Sequence, residues 1–322
     1  MGSIVTNTFL TPDAVGNRED LEDIIYDISP TKTPFMANAG RGTCKAVLHE
    51  WQMDELASAA DNKKLQGAEA EFGAVVPTVR VGNYTQIADK AVIVSGTQEK
   101  VDKAGRSSEV GYQLAKLGKE IKRDMEFTLV GTNKGAVGAA TATEPELASL
   151  PAWIKTNTVF GVGGSDPVWT SGVPAAGRTD GTQAAFTVDM LKEAMADCFA
   201  SGAEPTTLSV GPFNKQVVSG FTGISTLQYQ LNAPSQTSAI IAAVDVIKTD
   251  FGLLSVVPNR FQRERDALLL DFDYVSVNYL RPFEQEELAK TGDGIKRVMR
   301  VEYTLEVKNE KALGGIFDLA TS

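Results

Sequence analysis

The stretch Leu280–Leu319, LRPFEQEELAKTGDGIKRVMRVEYTLEVKNEKALGGIFDL, decides the reading of the fold. Within it Met299, Val301, Tyr303, Leu305 and Val307 alternate with Arg300, Glu302, Thr304, Glu306 and Lys308. Successive side chains of a strand point to opposite faces, so this pattern predicts a strand with one apolar and one polar face. Such a strand covers a core with one side and shows charge with the other. Just before it, Glu284, Glu286 and Glu287 cluster in what reads as a loop.

Upstream, Ala267–Tyr279, Leu253–Pro258 and Ile240–Thr249 read as further strands, and Thr207–Val210 as a short buried one. GPFNKQVVSGFTG, residues 211–223, reads as a helix and turn. Thr187 caps an expected helix through Ala200 that turns Val188, Leu191, Met195, Cys198 and Phe199 toward a core. The best helix is Ser107–Val130. Ser107 or Ser108 caps it, Glu109 sits in its first turn, Gly131 ends it, and Val110, Leu114, Leu117, Ile121, Met125 and Leu129 form one stripe. Gly131–Thr187 interrupts the pattern, with Pro151-Ala-Trp-Ile and Trp169 pointing to local packing.

Cys44–Met53 and Tyr84–Ser95 read as extended segments, separated by a stretch rich in Ala, Gly and charge. Loops of ~30 residues are uncommon in compact domains unless they have a job. A two-stranded flap is marginal by itself in water, so a neighbouring subunit is the expected support. Residues 1–43 form an arm in which Arg18–Ile28 reads as a short helix, with Leu21, Ile24, Ile25 and Ile28 on one side, ended by Pro30 and Pro34. An exposed terminus orders only when tied to something else. The overall class is mixed α+β.

Composition narrows the function. The 322 residues are 43% hydrophobic and 22% charged, as in an ordinary globular chain long enough for two domains. Net charge is -10, from 41 acidic and 31 basic residues, with no basic stripe to attract phosphate. Two distant cysteines, Cys44 and Cys198, make neither a disulfide framework nor a metal knuckle. No long apolar run suggests a membrane span, and no secretory pattern opens the chain.

Catalytic motifs are sparse. His49 is the only histidine, and His49-Glu50 starts like a zinc-protease motif, but Met53 stands where the second histidine belongs. Gly161-Val-Gly-Gly lacks the remaining glycine and the setting of a dinucleotide loop and reads as a turn. Asp271 and Asp273, expected on one strand face, and Glu284, Glu286 and Glu287 are the carboxylates a metal-dependent hydrolase would use. Met1-Gly-Ser-Ile-Val-Thr6 fits a myristoylation pattern without a second membrane signal, and Asn83-Tyr-Thr85 is a sequon without a secretory route. No cofactor is expected.

Several stretches together resemble the major capsid proteins of tailed bacteriophages. They are DLEDIIYDISPTKTPFM (Asp20–Met36), LHEWQMDELASAADN (Leu48–Asn62), NYTQIADKAVIVSGTQEKVDKAGR (Asn83–Arg106), LGKEIKRDMEF (Leu117–Phe127), LPAWIKTNT (Leu150–Thr158), VGPFNKQ (Val210–Gln216), VVPNRF (Val256–Phe261) and the tail. The resemblance implies the Hong Kong 97-type α+β fold. It implies an N-terminal arm (1–43), an extended E-loop (44–96), and a peripheral domain in two parts (97–205 and 267–322) with a spine helix at 107–130 and an insertion at 131–187. Residues 206–266 would be the axial domain. It further implies a subunit that assembles with itself into hexamers and pentamers around packaged DNA, in the bacterial host cytoplasm, with no enzymatic role. Implied partners are a separate scaffolding protein, a portal protein and a decoration protein. Trp51, Phe72 and Tyr84 in the flap, and Arg281, Phe283 and Glu286 near the tail, are the expected assembly contacts. An encapsulin-type compartment shares the fold and is the alternative.

Overall fold

The computed structural model describes residues 29–67, 69–70, 72–103, 105–221 and 245–322. The expected arm helix Arg18–Ile28 and residues 240–244 of an expected strand lie outside them. In chain order the elements begin with α1 (Pro34–Asn38), β1 (Gly40–Thr43), β2 (Leu48–Met53), β3 (Val79–Tyr84), β4 (Gln86–Ser95), α2 (Gly96–Lys100) and α3 (Glu109–Glu126). Then come α4 (Leu150–Trp153), β5 (Thr158–Val159), β6 (Val168–Thr170), β7 (Val173–Ala176), α5 (Val188–Ala200), β8 (Thr207–Val210) and α6 (Pro212–Ser219). The chain closes with β9 (Val246–Thr249), β10 (Gly252–Pro258), β11 (Ala267–Leu270), β12 (Val275–Leu288), β13 (Gly294–Val307) and β14 (Gly314–Ile316).

Two larger sheets organise these pieces. One has the order β1-β12-β13-β4 and the other β5-β14-β11-β8-β10-β9. The long hairpin β12–β13 dominates the first, with Val275 opposite Val307 and Leu288 opposite Lys296. The expected glutamate loop is therefore the outer half of β12, with Glu284 opposite Arg300 and Glu287 opposite Arg297. Their strand-mates supply the ladder that the polar composition disguised.

The helix α3 forms because its ends are satisfied and one stripe is apolar. Ser108 accepts from the Gly111 N–H at 3.0 Å, while Glu99 reaches the N–H groups of Glu109 and Val110 at 3.0 and 3.2 Å. At the far end a π-helical turn, Phe127–Gly131, closes it. Of the expected stripe, Ile121, Met125 and Leu129 are buried, whereas Val110, Leu114 and Leu117 are only partly covered. Each buried member contributes roughly 1.5–3 kcal/mol relative to exposure.

Two cores result. The first gathers Ile121, Met125 and Leu129 with Val301, Tyr303, Leu305 and Val307 and the buried run Leu147–Ile154. The second joins Leu191, Met195 and Cys198 of α5 to Leu208, Val210, Leu254 and Val256. Strand β11 is their shared wall: Leu268 and Leu270 belong to the first core, Ala267 and Leu269 to the second. The second core thus starts near Phe186 and takes in Ile316 and Leu319, beyond the 206–266 span expected for an axial domain.

Other expectations need correction. Phe199 is 53% exposed, because Ala194 takes the core-facing turn beside Met195 and Cys198. Ala267–Tyr279 is not one strand. Asp271 caps a one-turn 3-10 helix, Phe272–Tyr274, accepting from the Asp273 N–H at 3.0 Å, so the two carboxylates share no strand face. Pro34 opens a short helix at its first turn, where its missing N–H costs nothing.

Candidate assembly interface

Strands β2 and β3 pair antiparallel, Leu48 opposite Tyr84 and Met53 opposite Val79, and residues 54–78 connect them. The second flap strand is therefore β3. The expected Tyr84–Ser95 segment is mostly β4, which leaves the hairpin and pairs along β13 from Gln86 to Ser95. What separates the two is Thr85, buried and donating its hydroxyl to Glu302 at 2.9 Å.

The base of the hairpin is fixed inside its own subunit. The Trp51 indole N–H donates to the Val307 carbonyl at 2.9 Å. The Trp51 ring lies 5.3 Å from Trp153, which sits 5.1 Å from Trp169. Asn83 is wholly buried: its amide group donates to the Leu305 carbonyl at 2.9 Å, and its oxygen accepts from the Ala148 N–H at 2.8 Å. The sequon at Asn83 is thus enclosed. The segment 131–187 supplies Ala148, Trp153 and Trp169, and the Gly172 carbonyl accepts from the Gly82 N–H at 3.2 Å. This segment works as a clamp on the hairpin base, a role its glycine-rich sequence did not disclose.

The same contacts revise the two-faced reading of β13. Glu302 and Thr304 are buried, and Glu306 is nearly so, because the hairpin base covers the polar face. Glu302 accepts from the Arg281 guanidinium at 2.8 Å as well as from Thr85, and the Thr304 hydroxyl donates to the Tyr84 carbonyl at 2.9 Å. Glu306 takes His49 at 3.3 Å, Ser276 at 3.2 Å and the Asn278 amide. The His49 interaction leads the causes that hold the Glu306 carboxyl below its ordinary range. His49 is a hydrogen-bonding member of this polar layer.

Beyond the base the character reverses. Leu56 and Phe72 are 99% and 96% exposed, and Leu65, Val75, Val76 and Val79 are exposed with them. Ordinary subunits scatter single apolar residues over their surface; six large ones on one projecting hairpin make it a candidate interaction site. Of the flap aromatics, Phe72 stands free, while Trp51 and Tyr84 are half-buried in their own subunit, Tyr84 lying against Gly138.

A second projection is the end of β12–β13. Among the described residues its outer edge is unpaired past Tyr279, since β1 pairs with Ser276–Tyr279. Phe283 lies there, 6.3 Å from Tyr279 and under the Lys122 ammonium at 5.9 Å. Glu286 is exposed opposite Val298, and Arg281 is held by Glu302. Among the described residues no His, Cys, Asp and Glu group is arranged to hold a metal ion, and no helix is long and apolar enough to cross a membrane. The carboxylates considered for a hydrolase are apart: Asp271 in its cap, Glu284 and Glu287 across from arginines.

A long hairpin on an anchored base, a spine helix and two sheets sharing one wall make up the Hong Kong 97-type fold, which solved phage capsids share. The chain belongs to the SU10 major capsid protein family, which matches residues 4–320. It is 29% identical over 347 aligned residues to the major capsid protein of Escherichia phage Phieco32, covering 97% of each. Among solved structures, the capsid asymmetric unit of cyanophage A-1(L) is similar with a TM-score of 0.67 at 11% identity, over 97% of this chain and 99% of that one. The holo-SrpI encapsulin complex from Synechococcus elongatus PCC 7942 is similar with a TM-score of 0.53 at 11% identity, over 93% of each chain. At such identities the structures share fold alone. The family match along nearly the whole chain places it with the capsid proteins of phages and not with cargo shells.

Proposed function

We propose that this capsid protein assembles into hexamers and pentamers that tile an icosahedral shell around packaged double-stranded DNA. The observation that carries the reading is the contrast within one hairpin, a base buried in its own subunit and a tip of exposed apolar residues. An ordinary monomer would gain nothing from that tip; a neighbouring copy buries it. Phe72 alone offers ~150–250 Å². Association and ordering costs offset most of such a gain, so individual contacts stay reversible and misplaced subunits can leave.

On this reading the hairpin β2–β3 with residues 54–78 is the E-loop, α3 the spine of the peripheral domain, and the six-stranded sheet the heart of the axial domain. Phe72 faces a neighbouring subunit, and Phe283 and Glu286, with Arg281 holding the strand behind them, meet an adjacent capsomer. The net charge of -10 supports a wall to which DNA does not adhere. Assembly in the host cytoplasm on a separate scaffolding protein, a portal at one vertex and a decoration protein outside complete the proposal. The subunit's work is structural, without catalysis.

Replacing residues 54–78 by a short Gly-Asn turn between Met53 and Val79 tests this. The variant is expected to be soluble and folded, yet to yield no closed particles by sedimentation and negative-stain microscopy, where the parent chain does. Normal shells from the variant would refute the assignment.

A further inference from the structure

The wall shared by the two cores ends in a cluster of charges in which Arg178, Asp266 and Asp318 are buried while Asp166 and Asp180 reach solvent. Arg178 pairs with Asp166 at 3.3 Å, Arg263 pairs with Asp180, and Arg265 bridges Asp180 at 3.2 Å and Asp318 at 2.6 Å. These three cations balance three carboxylates. Asp266, the residue just before β11, is a fourth. It is 1% exposed, and neither carboxyl oxygen has a hydrogen-bond partner; the nearest cation, Arg263, stands 3.7 Å away. Arg178, whose guanidinium lies over the Phe317 ring at 3.2 Å, is also buried, with its Nε and one terminal nitrogen unpartnered.

The position matters as much as the chemistry. The loop before β11 bonds to the end of the spine helix through the Arg263 N–H and the Val130 carbonyl. It bonds to the C-terminal segment through the Leu319 N–H and the Arg265 carbonyl, and to the segment 131–187 through Arg265 and the Gly181 carbonyl at 2.8 Å. Three segments meet on it, drawn from the two units that the residues packed around each core form.

We propose that Asp266 is a proton-operated joint between the two units: protonated, it leaves the cluster balanced and the junction closed, and ionised, it loosens the loop from residues 178–181 and from the C-terminal segment. Ionised, Asp266 makes four carboxylates against three guanidiniums, each of which already engages another carboxylate, and only Arg263 approaches it, at 3.7 Å. A buried, uncompensated carboxylate is costly and is relieved by admitting water. The groups facing Asp266 are Arg263 and Arg265 from its own loop, Arg178 and Asp180 from the segment 131–187 and Asp318 from the C-terminal segment. Burial, ahead of the opposing pull of Arg263 and Arg178, pushes the Asp266 carboxyl up to about 7. A raised folded value stabilises the closed junction fully below the ordinary 3.8 and loses that contribution as pH rises through about 7. The joint is therefore poised near neutrality. It concerns motion within a subunit and stands whether or not the hairpin tip is the assembly contact.

Hydrogen exchange on the full-length protein, corrected for intrinsic rate, tests it between about pH 5.5 and 8.5. The amides of Arg263, Asp266 and Leu319 are expected to lose protection, by up to about tenfold per pH unit near the transition. In D266N, the neutral isostere, protection stays at its acid-side level throughout. Infrared spectra of the parent chain should show a protonated-carboxyl band that vanishes over the same interval. Flat parent protection, the same loss in D266N, or no protonated carboxyl at the acid end would each overturn the joint; should D266N not fold, the two parent measurements decide.

Discussion

The indole N–H of Trp51 donates to the carbonyl of Val307 at 2.9 Å, tying the first strand of the projecting hairpin to the last residue of β13, one of the two longest strands. This bond and the stacking on Trp153 separate the hairpin into a part that belongs to the subunit and a part that does not. Trp51→Ala is expected to lower subunit stability by about 2–4 kcal/mol, from lost packing and an orphaned carbonyl. Phe72→Ala should leave stability within about 0.5 kcal/mol, since Phe72 touches little, yet reduce particle yield. Urea unfolding and quantitative sedimentation of the two variants separate the effects.

The hairpin base carries its own pH dependence. Glu306 is held below its ordinary value of 4.5, first by His49 and then by Asn278 and Ser276 against the cost of burial. A depressed folded value contributes stability above 4.5 that is lost as pH falls through the folded value. Acidification from the ordinary 4.5 downward through the folded value is expected to loosen the base and to change the emission of Trp51, which lies 5.6 Å from His49. Glu306→Gln should remove that acid transition from the fluorescence titration.

Glu126 anchors the arm. Its two carboxylate oxygens, fully buried, accept from the Phe35 and Met36 N–H groups at 2.8 and 2.9 Å and from the Asn259 amide at 2.7 Å. Burial raises its carboxyl, and the three donors oppose that rise. Glu126→Gln places an amide N–H2 where a donor already points, and should cost about 1–3 kcal/mol by urea unfolding. Increased proteolysis ahead of Pro34 would accompany it; an unchanged midpoint would remove the arm-anchoring role.

Glu286 stands exposed in the outer half of β12, on the edge left unpaired among the described residues. Glu286→Lys is expected to change subunit stability by less than about 0.5 kcal/mol. Particle yield at low salt should fall, with partial recovery as salt screens the altered contact. Undiminished yield would take Glu286 out of the interface.

Much of the fold was legible where burial is one-sided and periodic. The stripe Ile121, Met125 and Leu129 and the alternation Val301, Tyr303, Leu305 and Val307 announced their elements, because a helix or strand that meets one core must repeat at its own period. The cap at Ser108 was legible; the reach of Glu99 to the same helix end was not, since it comes from ten residues upstream of Glu109. Glu284–Glu287 read as a loop because strand propensity on an exposed edge is weak and the pairing partner decides. Of the candidate site, Trp51, Phe72 and Tyr84 look equally free in sequence, and only their neighbours distinguish the exposed Phe72 from the two half-buried rings.

Sequence by itself determined that one strand of the tail must cover a core, that a long helix must lie on it, and that a flap too long to stand alone must project, because periodicity and chain length are local properties. Tertiary structure alone decided that the polar face of that strand is also covered, that β11 serves two cores at once, and that three arginines and four aspartates from distant segments meet in one place. Those facts depend on which surfaces touch and on how much water is left between them, and neither is written in any one segment.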